Sequence, residues 1–167
     1  MTTRFATAAA SASAGPVLMA VAKPSPRDLR FTRALALKNA AWTFDAVPAD
    51  ARKLVRHCLL DWISVTLAGA QEPVAHMLAE EAREQGGFPQ ATVVGHGFAA
   101  SSRQAALING AASHALDFDD VNMSFTGHPS VVLVPALLAL AEARGASGAE
   151  FMTAFVAGYE TLCRIGA

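Results

Sequence analysis

The sequence feature that most constrains the fold is an apolar pattern that follows Pro48 and repeats at intervals of three and four residues. The pattern is carried by Leu54, Val55, Cys58, Leu59, Trp62, Ile63 and Thr66. Side chains at these intervals lie on one face of an α-helix, and proline is well tolerated in the first turn of a helix. The segment up to Gly69 is therefore predicted to form a long amphipathic helix with this face buried.

The same periodicity recurs along the rest of the chain. It appears over residues 31–43, 73–85, 101–116 and 129–143, and again in a last segment in which Ser147 and Glu150 form a capping box. The one strand-like piece is 91–94. Because a single short strand cannot form a sheet, this piece is predicted to be an extended connector. The predicted fold class is all-α, an orthogonal or bundle-like array of about six helices.

Residues 1–30 differ from the rest of the chain in composition. They are rich in Ala, Ser and Thr, and they contain no acidic residue before Asp28. A secretory signal or a mitochondrial-type presequence fits this composition, and so does a disordered leader. The predicted division is a disordered leader over residues 1–30 and a helical domain over residues 31–167.

Composition limits the partners and the environment that can be expected. Apolar residues make up 53% of the chain and charged residues 16%, which fits a domain that is covered by more protein. No apolar run reaches the length of a bilayer span, and the net charge of -1 without a basic cluster argues against nucleic acid. Cys58 and Cys163 lie far apart and are predicted to be unpaired thiols of a reducing compartment, the cytoplasm.

The stretch richest in reactive side chains lies between two predicted helices. It begins with HALDFDD at residues 114–120 and continues, after a short polar loop, with GHPS at residues 127–130. The carboxylates follow one helix and His128 precedes the next, where unpaired N–H groups and the helix dipole attract anions. An aspartate and a histidine that meet there can act as an acid/base pair.

The residues alone leave three interpretations of this stretch open. Asp117, Asp119 and Asp120 are of the kind found in aspartate-rich Mg²⁺ sites, and His114 and His128 with a carboxylate can hold a transition metal. The carboxylates can instead cap helix ends and tie down the loop without any chemistry. The third interpretation is acid/base catalysis on a polycarboxylate.

Two neighbouring residues in the segment after Pro48 are expected to have structural roles. Trp62 is predicted to be part of the core. Asp61 lies in the same apolar region and is predicted to be buried and hydrogen-bonded, because a buried carboxylate needs a partner.

Several of these motifs, in this order, resemble the MmgE/PrpD family. The resemblance covers roughly residues 32 to 167 and includes LDWI, ALING, HALDFDD, GHPS and AGYE. The family includes 2-methylcitrate dehydratase and cis-aconitate decarboxylase. The resemblance implies a helical domain that is followed in the family by a smaller α/β domain, so the chain is expected to be an N-terminal portion.

The resemblance also implies which residues belong to the active site. The first aspartate of DFDD and the histidine of HPS fall on Asp117 and His128, and Asn122 and Ser124 are expected to contact the substrate. A threonine follows the double aspartate in cis-aconitate decarboxylase, whereas this chain has Val121. A dehydratase-like activity is therefore expected.

Expectations for cofactors and partners follow from the same resemblance. It implies a small di- or tricarboxylate substrate, no metal or organic cofactor, and a homodimer in the full-length form. The family binds its substrate with lysines and a tyrosine further along, and this chain has no lysine after Lys53. The alternative expectation is therefore an inactive, truncated helical module that associates with homologous subunits.

Overall fold

The computed structural model describes residues 26–166 of the chain. Six helices contain most of these residues: Pro26–Ala40 (α1), Ala49–Gly69 (α2), Pro73–Gln85 (α3), Ser102–His114 (α4), Pro129–Arg144 (α5) and Gly148–Gly166 (α6). Two short strands, Ala91–Val93 (β1) and Phe98–Ala100 (β2), lie between α3 and α4. The predicted all-α fold class is confirmed.

Most helix ends agree with the sequence because the capping signals are used. Ser101 and Gln104 form a capping box at the start of α4. Ser147 and Glu150 form a second one at the start of α6, where the Ser147 N–H and hydroxyl donate to the Glu150 carboxylate at 2.7 and 2.8 Å. Gly86 ends α3 with a φ of 67°, a conformation that favours glycine.

The first helix differs from the prediction at both ends. It begins at Pro26 and ends at Ala40, where the periodicity predicted residues 31–43. Proline fits the first turn of a helix, so α1 extends back into the segment assigned to the leader. The rest of the predicted leader, residues 1–25, lies outside the described residues.

The prediction of a single unpaired strand is wrong. β1 and β2 form an antiparallel hairpin in which Val93 lies opposite Phe98. The connecting turn contains Gly95 and Gly97, with φ angles of 80° and 69°. These angles lie in the left-handed region that glycine adopts without steric cost, and this allows the chain to reverse within a few residues.

Helix α4 lies at the centre of the fold and contacts α2, α3 and α5. Gly69, at the end of α2, comes so close that an added Cβ would lie 2.0 Å from the carbonyl oxygen of Ala112. Trp62 belongs to the core as predicted, and it is only 1% exposed. This packing fixes the end of α4 and the start of α5, between which the reactive stretch lies.

The apolar face of α2 is only partly buried. Val55, Trp62 and Thr66 are buried, whereas Leu54 and Ile63, which the pattern also placed on the buried face, are exposed. Within the described residues, no helix combines the length and the hydropathy that a membrane crossing requires.

Candidate active site

The site lies in the loop that joins α4 to α5. Helix α4 ends at His114, and His128 occupies the N-cap position of α5, without a hydrogen bond from its side chain to the helix. Asp117 turns the chain after α4 with a φ of 55°, in the left-handed region that aspartate tolerates better than most residues. Asn122 and Gly127 then exchange two backbone hydrogen bonds, of 2.9 and 3.2 Å. The loop is therefore folded back on itself and anchored by a helix at each end.

Two imidazoles and two carboxylates meet in this loop, and we call them the His–Asp cluster: His114, Asp117, Asp119 and His128. Nδ1 of His114 lies 2.9 and 3.1 Å from the two carboxylate oxygens of Asp119. Nδ1 of His128 lies 3.2 Å from the same carboxylate and 3.3 Å from the Asp119 backbone oxygen. The ring centroids are 4.8 Å apart. One carboxylate thus contacts both imidazoles.

Asp117 and His128, the residues to which the resemblance assigned the active site, lie close together across the loop. A carboxylate oxygen of Asp117 lies 3.5 Å from Nε2 of His128. The Asp117 side chain is 77% exposed, whereas that of Asp119 is 0% exposed. The two nitrogens of His128 therefore face different carboxylates, a buried one at Nδ1 and an exposed one near Nε2. The catalytic roles of Asp117 and His128 stay a prediction.

Asn122 and Ser124, the two predicted substrate contacts, have different surroundings. The Asn122 side chain donates to the Tyr159 hydroxyl at 2.8 Å, and its oxygen accepts the Ser124 backbone N–H at 2.7 Å. Asn122 thus ties the loop to α6, while Ser124 is exposed. Their role in substrate binding stays a prediction.

A second group of polar side chains lies between α2 and the start of α5. Asp120 accepts the backbone N–H of Ser130 at 3.0 Å and its hydroxyl at 2.7 Å. Burial, and after it the charge of Asp120, raises the pKa of the Cys58 thiol to about 11. Asp120 therefore links the loop both to α5 and to α2.

Asp61 is not the buried residue that the sequence predicted. It is exposed, because the face of α2 that carries it is not covered. Its pKa is raised by partial desolvation and then by the charges of Asp120 and Asp119, while a hydrogen bond with the Asp120 backbone lowers it. Asp61 therefore lies beside the carboxylates of the loop.

The sequence did not reveal that Asp119 connects the two imidazoles. Its position in DFDD made it one of three equivalent carboxylates, and its burial depends on the path of the loop after Asp117. The sequence contained one weak signal of this contact. His114 is at the end of a predicted helix and Asp119 follows only five residues later, so a chain that turns after the helix can bring the two side chains together.

The donor set of the His–Asp cluster also bears on the metal interpretation. One possible ligand atom from each of its four residues lies within 4.8 Å of all the others. Imidazole nitrogens and carboxylate oxygens suit a transition metal better than Mg²⁺, which prefers oxygen. The short contacts, however, join Nδ1 atoms to a carboxylate, which is the pattern of hydrogen bonds between these groups.

The fold and the site together define a mostly helical domain that gathers histidines and aspartates at one junction between helices. The chain belongs to the MmgE/PrpD family, since the sequence model of the MmgE/PrpD N-terminal domain matches residues 33–167. The family resemblance expected from the motifs is confirmed.

Curated relatives carry the names of decarboxylases. The chain is 32% identical over 127 residues to cis-aconitate decarboxylase-like protein oryM of Aspergillus oryzae, which is 72% of this chain and 26% of that protein. It is 32% identical to the cis-aconitate decarboxylase of Mus musculus and 31% identical to that of Homo sapiens, each over 66% of this chain. The chain spans about a quarter of the length of these relatives.

Proposed function

We propose that the chain carries the acid/base part of a lyase site for a small di- or tricarboxylate, and that its reaction is dehydration of a 2-methylcitrate-like substrate. The observation that supports this most is the His–Asp cluster at the start of α5. Loss of water next to a carboxylate needs a base for the carbon-bound proton and an acid for the leaving hydroxyl. The cluster offers groups for both.

His128 is the base in this proposal and acts through Nε2. A carboxylate only accepts hydrogen bonds, so contact with Asp119 favours a proton on Nδ1 and a lone pair on Nε2. Asp117, 3.5 Å from Nε2, stabilises the imidazolium that forms when Nε2 takes the proton. The positive end of the α5 helix dipole attracts a substrate carboxylate in this proposal, and Ser124 and Asn122 complete the proposed contacts.

The proposal needs no metal, but it does need cations. The enolate-like charge that develops on a carboxylate substrate is stabilised by positively charged donors, and losing one such donor can cost about 10²–10³-fold in rate. No lysine follows Lys53 in this chain. We therefore expect little or no turnover by the chain on its own.

Decarboxylation of cis-aconitate is the second candidate reaction, and the names of the relatives favour it. Both reactions involve proton transfer at a carbon next to a carboxylate, so the same cluster can serve either. Val121, which is 59% exposed, favours dehydration in our proposal because it offers no hydroxyl where the decarboxylase is expected to have a threonine.

The test is an assay with 2-methylcitrate and with cis-aconitate. It compares the chain alone with a longer chain in which it is joined to the remaining part of a full-length relative. We expect turnover only by the longer chain, lost in His128→Ala and retained in His76→Ala, which changes an exposed histidine on α3. Turnover by the chain alone would contradict the requirement for further cations. Activity that is lost with EDTA and restored by one metal would contradict the metal-free mechanism.

The alternative is a catalytically inactive helical module that associates with homologous subunits. It is favoured by the exposed apolar side chains of α2, which are Leu54, Leu60, Ile63 and Leu67, at 43–66% exposure. Such side chains often mark a surface that another protein covers. Association with a longer homologue in analytical ultracentrifugation, weakened by Leu60→Glu and unaffected by Glu81→Ala on α3, together with no turnover by either chain, would favour this alternative.

Cytoplasmic location is proposed on the basis of the cysteines. Cys58 and Cys163 are both free thiols, which is the usual state in a reducing compartment.

A further inference from the structure

We propose that Asp119 is a positioning residue that holds His114 and His128 in the same tautomer, and that His114 is thereby a second proton-transfer group of the site. This inference rests on the proposed function, because it assigns a further role within the same acid/base reaction. It begins from one observation: Nδ1 of each imidazole lies within 3.2 Å of the Asp119 carboxylate.

The tautomer follows from what each group can donate or accept. An ionised carboxylate has no proton to donate, so each Nδ1 in contact with Asp119 must supply the hydrogen. The second contact of His128 Nδ1, 3.3 Å from the Asp119 carbonyl oxygen, is again with an acceptor. The Asp117 carboxylate competes for the proton of His128, but it lies 3.5 Å from Nε2, which is longer than an ordinary hydrogen bond and longer than either Nδ1 contact. Both imidazoles are therefore expected to carry a proton on Nδ1, with Nε2 left for chemistry.

Burial makes Asp119 suitable for this role. Its side chain is 0% exposed, while those of His114 and His128 are 50% and 26% exposed. Nε2 of His128 lies 3.5 Å from the exposed Asp117 carboxylate, so Nδ1 of this ring faces a buried group and Nε2 an exposed one. The carboxylate also has two oxygens, so it can accept from both rings at once.

The two imidazoles can then share the proton transfers of a dehydration. Nε2 of His128 takes the proton from the carbon next to the carboxylate, and the electrons of that C–H bond form the double bond. The C–O bond breaks with its electron pair on oxygen, which takes a proton from Nε2 of protonated His114 and leaves as water. One proton has moved from His114 to the water and one from carbon to His128, and exchange with solvent restores both histidines.

Asp117 provides a matched comparison within the same cluster. It contacts His128 only, at Nε2 and from a 77% exposed position. Removing its charge should therefore leave the tautomer of His114 unchanged, whereas a change at Asp119 should affect both rings.

The test is long-range ¹H–¹⁵N NMR of the histidine rings in the 167-residue chain at a pH where they are neutral, recorded first without and then with EDTA. The ¹⁵N shifts report which nitrogen carries the proton. We expect Nδ1–H for His114 and His128, and the Nε2–H form that free imidazole prefers for the exposed His57 and His76. In Asp119→Asn, His114 should change to Nε2–H, because its Nδ1 contacts only the side-chain oxygens of Asp119, whereas His128 keeps the backbone oxygen of that residue. Asp117→Asn should leave His114 as it is.

The proposal would be overturned if the rings of His114 and His128 were in the Nε2–H form in the wild-type chain, or if Asp119→Asn left the tautomers unchanged. It would also be overturned if adding EDTA changed the spectra. If Asp119→Asn does not fold, the proposal is tested by the tautomers of the wild-type chain and by those of Asp119→Glu. The tautomers that the NMR spectra report do not depend on whether the chain is catalytically active. Absence of turnover in the longer chain would defeat the proposed function while leaving the tautomers in place. If that chain is active, His114→Gln should lower its turnover about 10²-fold or more.

Discussion

Replacing Asp120 with alanine should loosen the start of α5 and with it the position of His128. The Asp120 carboxylate holds the backbone N–H of Ser130 at 3.0 Å and its hydroxyl at 2.7 Å. Ser130 is 0% exposed, so water cannot easily replace the lost acceptor. The two hydrogen bonds join the loop to the first turn of α5, directly after His128.

The size of the effect follows from these contacts. Leaving a buried donor without its partner costs about 1–3 kcal/mol, and losing a negative charge at a helix N-terminus costs about 0.3–1 kcal/mol. Relief of repulsion with Asp61 offsets part of this. We expect Asp120→Ala to lower the free energy of unfolding by about 1–4 kcal/mol, and the melting temperature by about 2–4 °C for each kcal/mol.

A double-mutant cycle tests the reasoning. Ser130→Ala removes only the hydrogen bond of the hydroxyl and should cost about 1 kcal/mol. Because that bond is also lost in Asp120→Ala, the double variant should be more stable than the sum of the two single changes predicts. The control is Asp45→Ala, which removes an exposed carboxylate elsewhere. The account is refuted if Asp120→Ala unfolds at the same temperature as Asp45→Ala, or if the two changes are additive.

Three further predictions concern α2 and its neighbours. The raised pKa of Cys58 means that the unfolded chain loses the thiol proton first, so stability should fall as the pH rises from about 9 to about 11; Cys58→Ala should flatten that part of a denaturation series. Asp61→Asn should raise the melting temperature slightly at neutral pH, because it removes repulsion with Asp120, and the gain should vanish in acid, where Asp61 is already protonated. An unchanged or lower melting temperature at neutral pH would contradict this. Gly69→Ala should destabilise the fold by about 1–3 kcal/mol or more, because its Cβ would lie 2.0 Å from a carbonyl oxygen of α4, whereas Gly148→Ala, with no atom within 4 Å of its Cβ, should be neutral in the same denaturation assay.

The helices could be predicted from the sequence because each signal is local. The periodicity after Pro48 and the serines at 101 and 147 act within one or two turns, and the structure uses them. The hairpin could not be predicted in the same way. Its second strand, Phe98–Ala100, contains no β-branched residue, and its pairing with β1 depends on packing against α4 and on the turn through Gly95.

The site was predictable to the extent that the helix junction determines it. Asp117 and His128 lie at the two ends of one loop whose flanking helices pack against each other, so their approach follows from local structure. The contact of Asp119 with both rings depends on the left-handed turn at Asp117, and the approach of Asp61 depends on how α2 packs against the rest of the fold. Neither has a signature in the spacing of residues.

The charges of the site indicate why this cluster should not be sufficient by itself. Asp117 and Asp119 contact the two imidazoles, and Asp61 lies beside Asp119 and Asp120. Within the described residues no ion pair brings an arginine or lysine to these carboxylates. A helix N-terminus contributes about half a positive charge, which cannot balance four carboxylates and a substrate with two or three more. A polycarboxylate can therefore bind here only if cationic side chains come from another part of a longer protein or from a second chain. In such a site the carboxylates would orient the histidines on one side of the substrate. The cations would bind the substrate's own carboxylates from the other side.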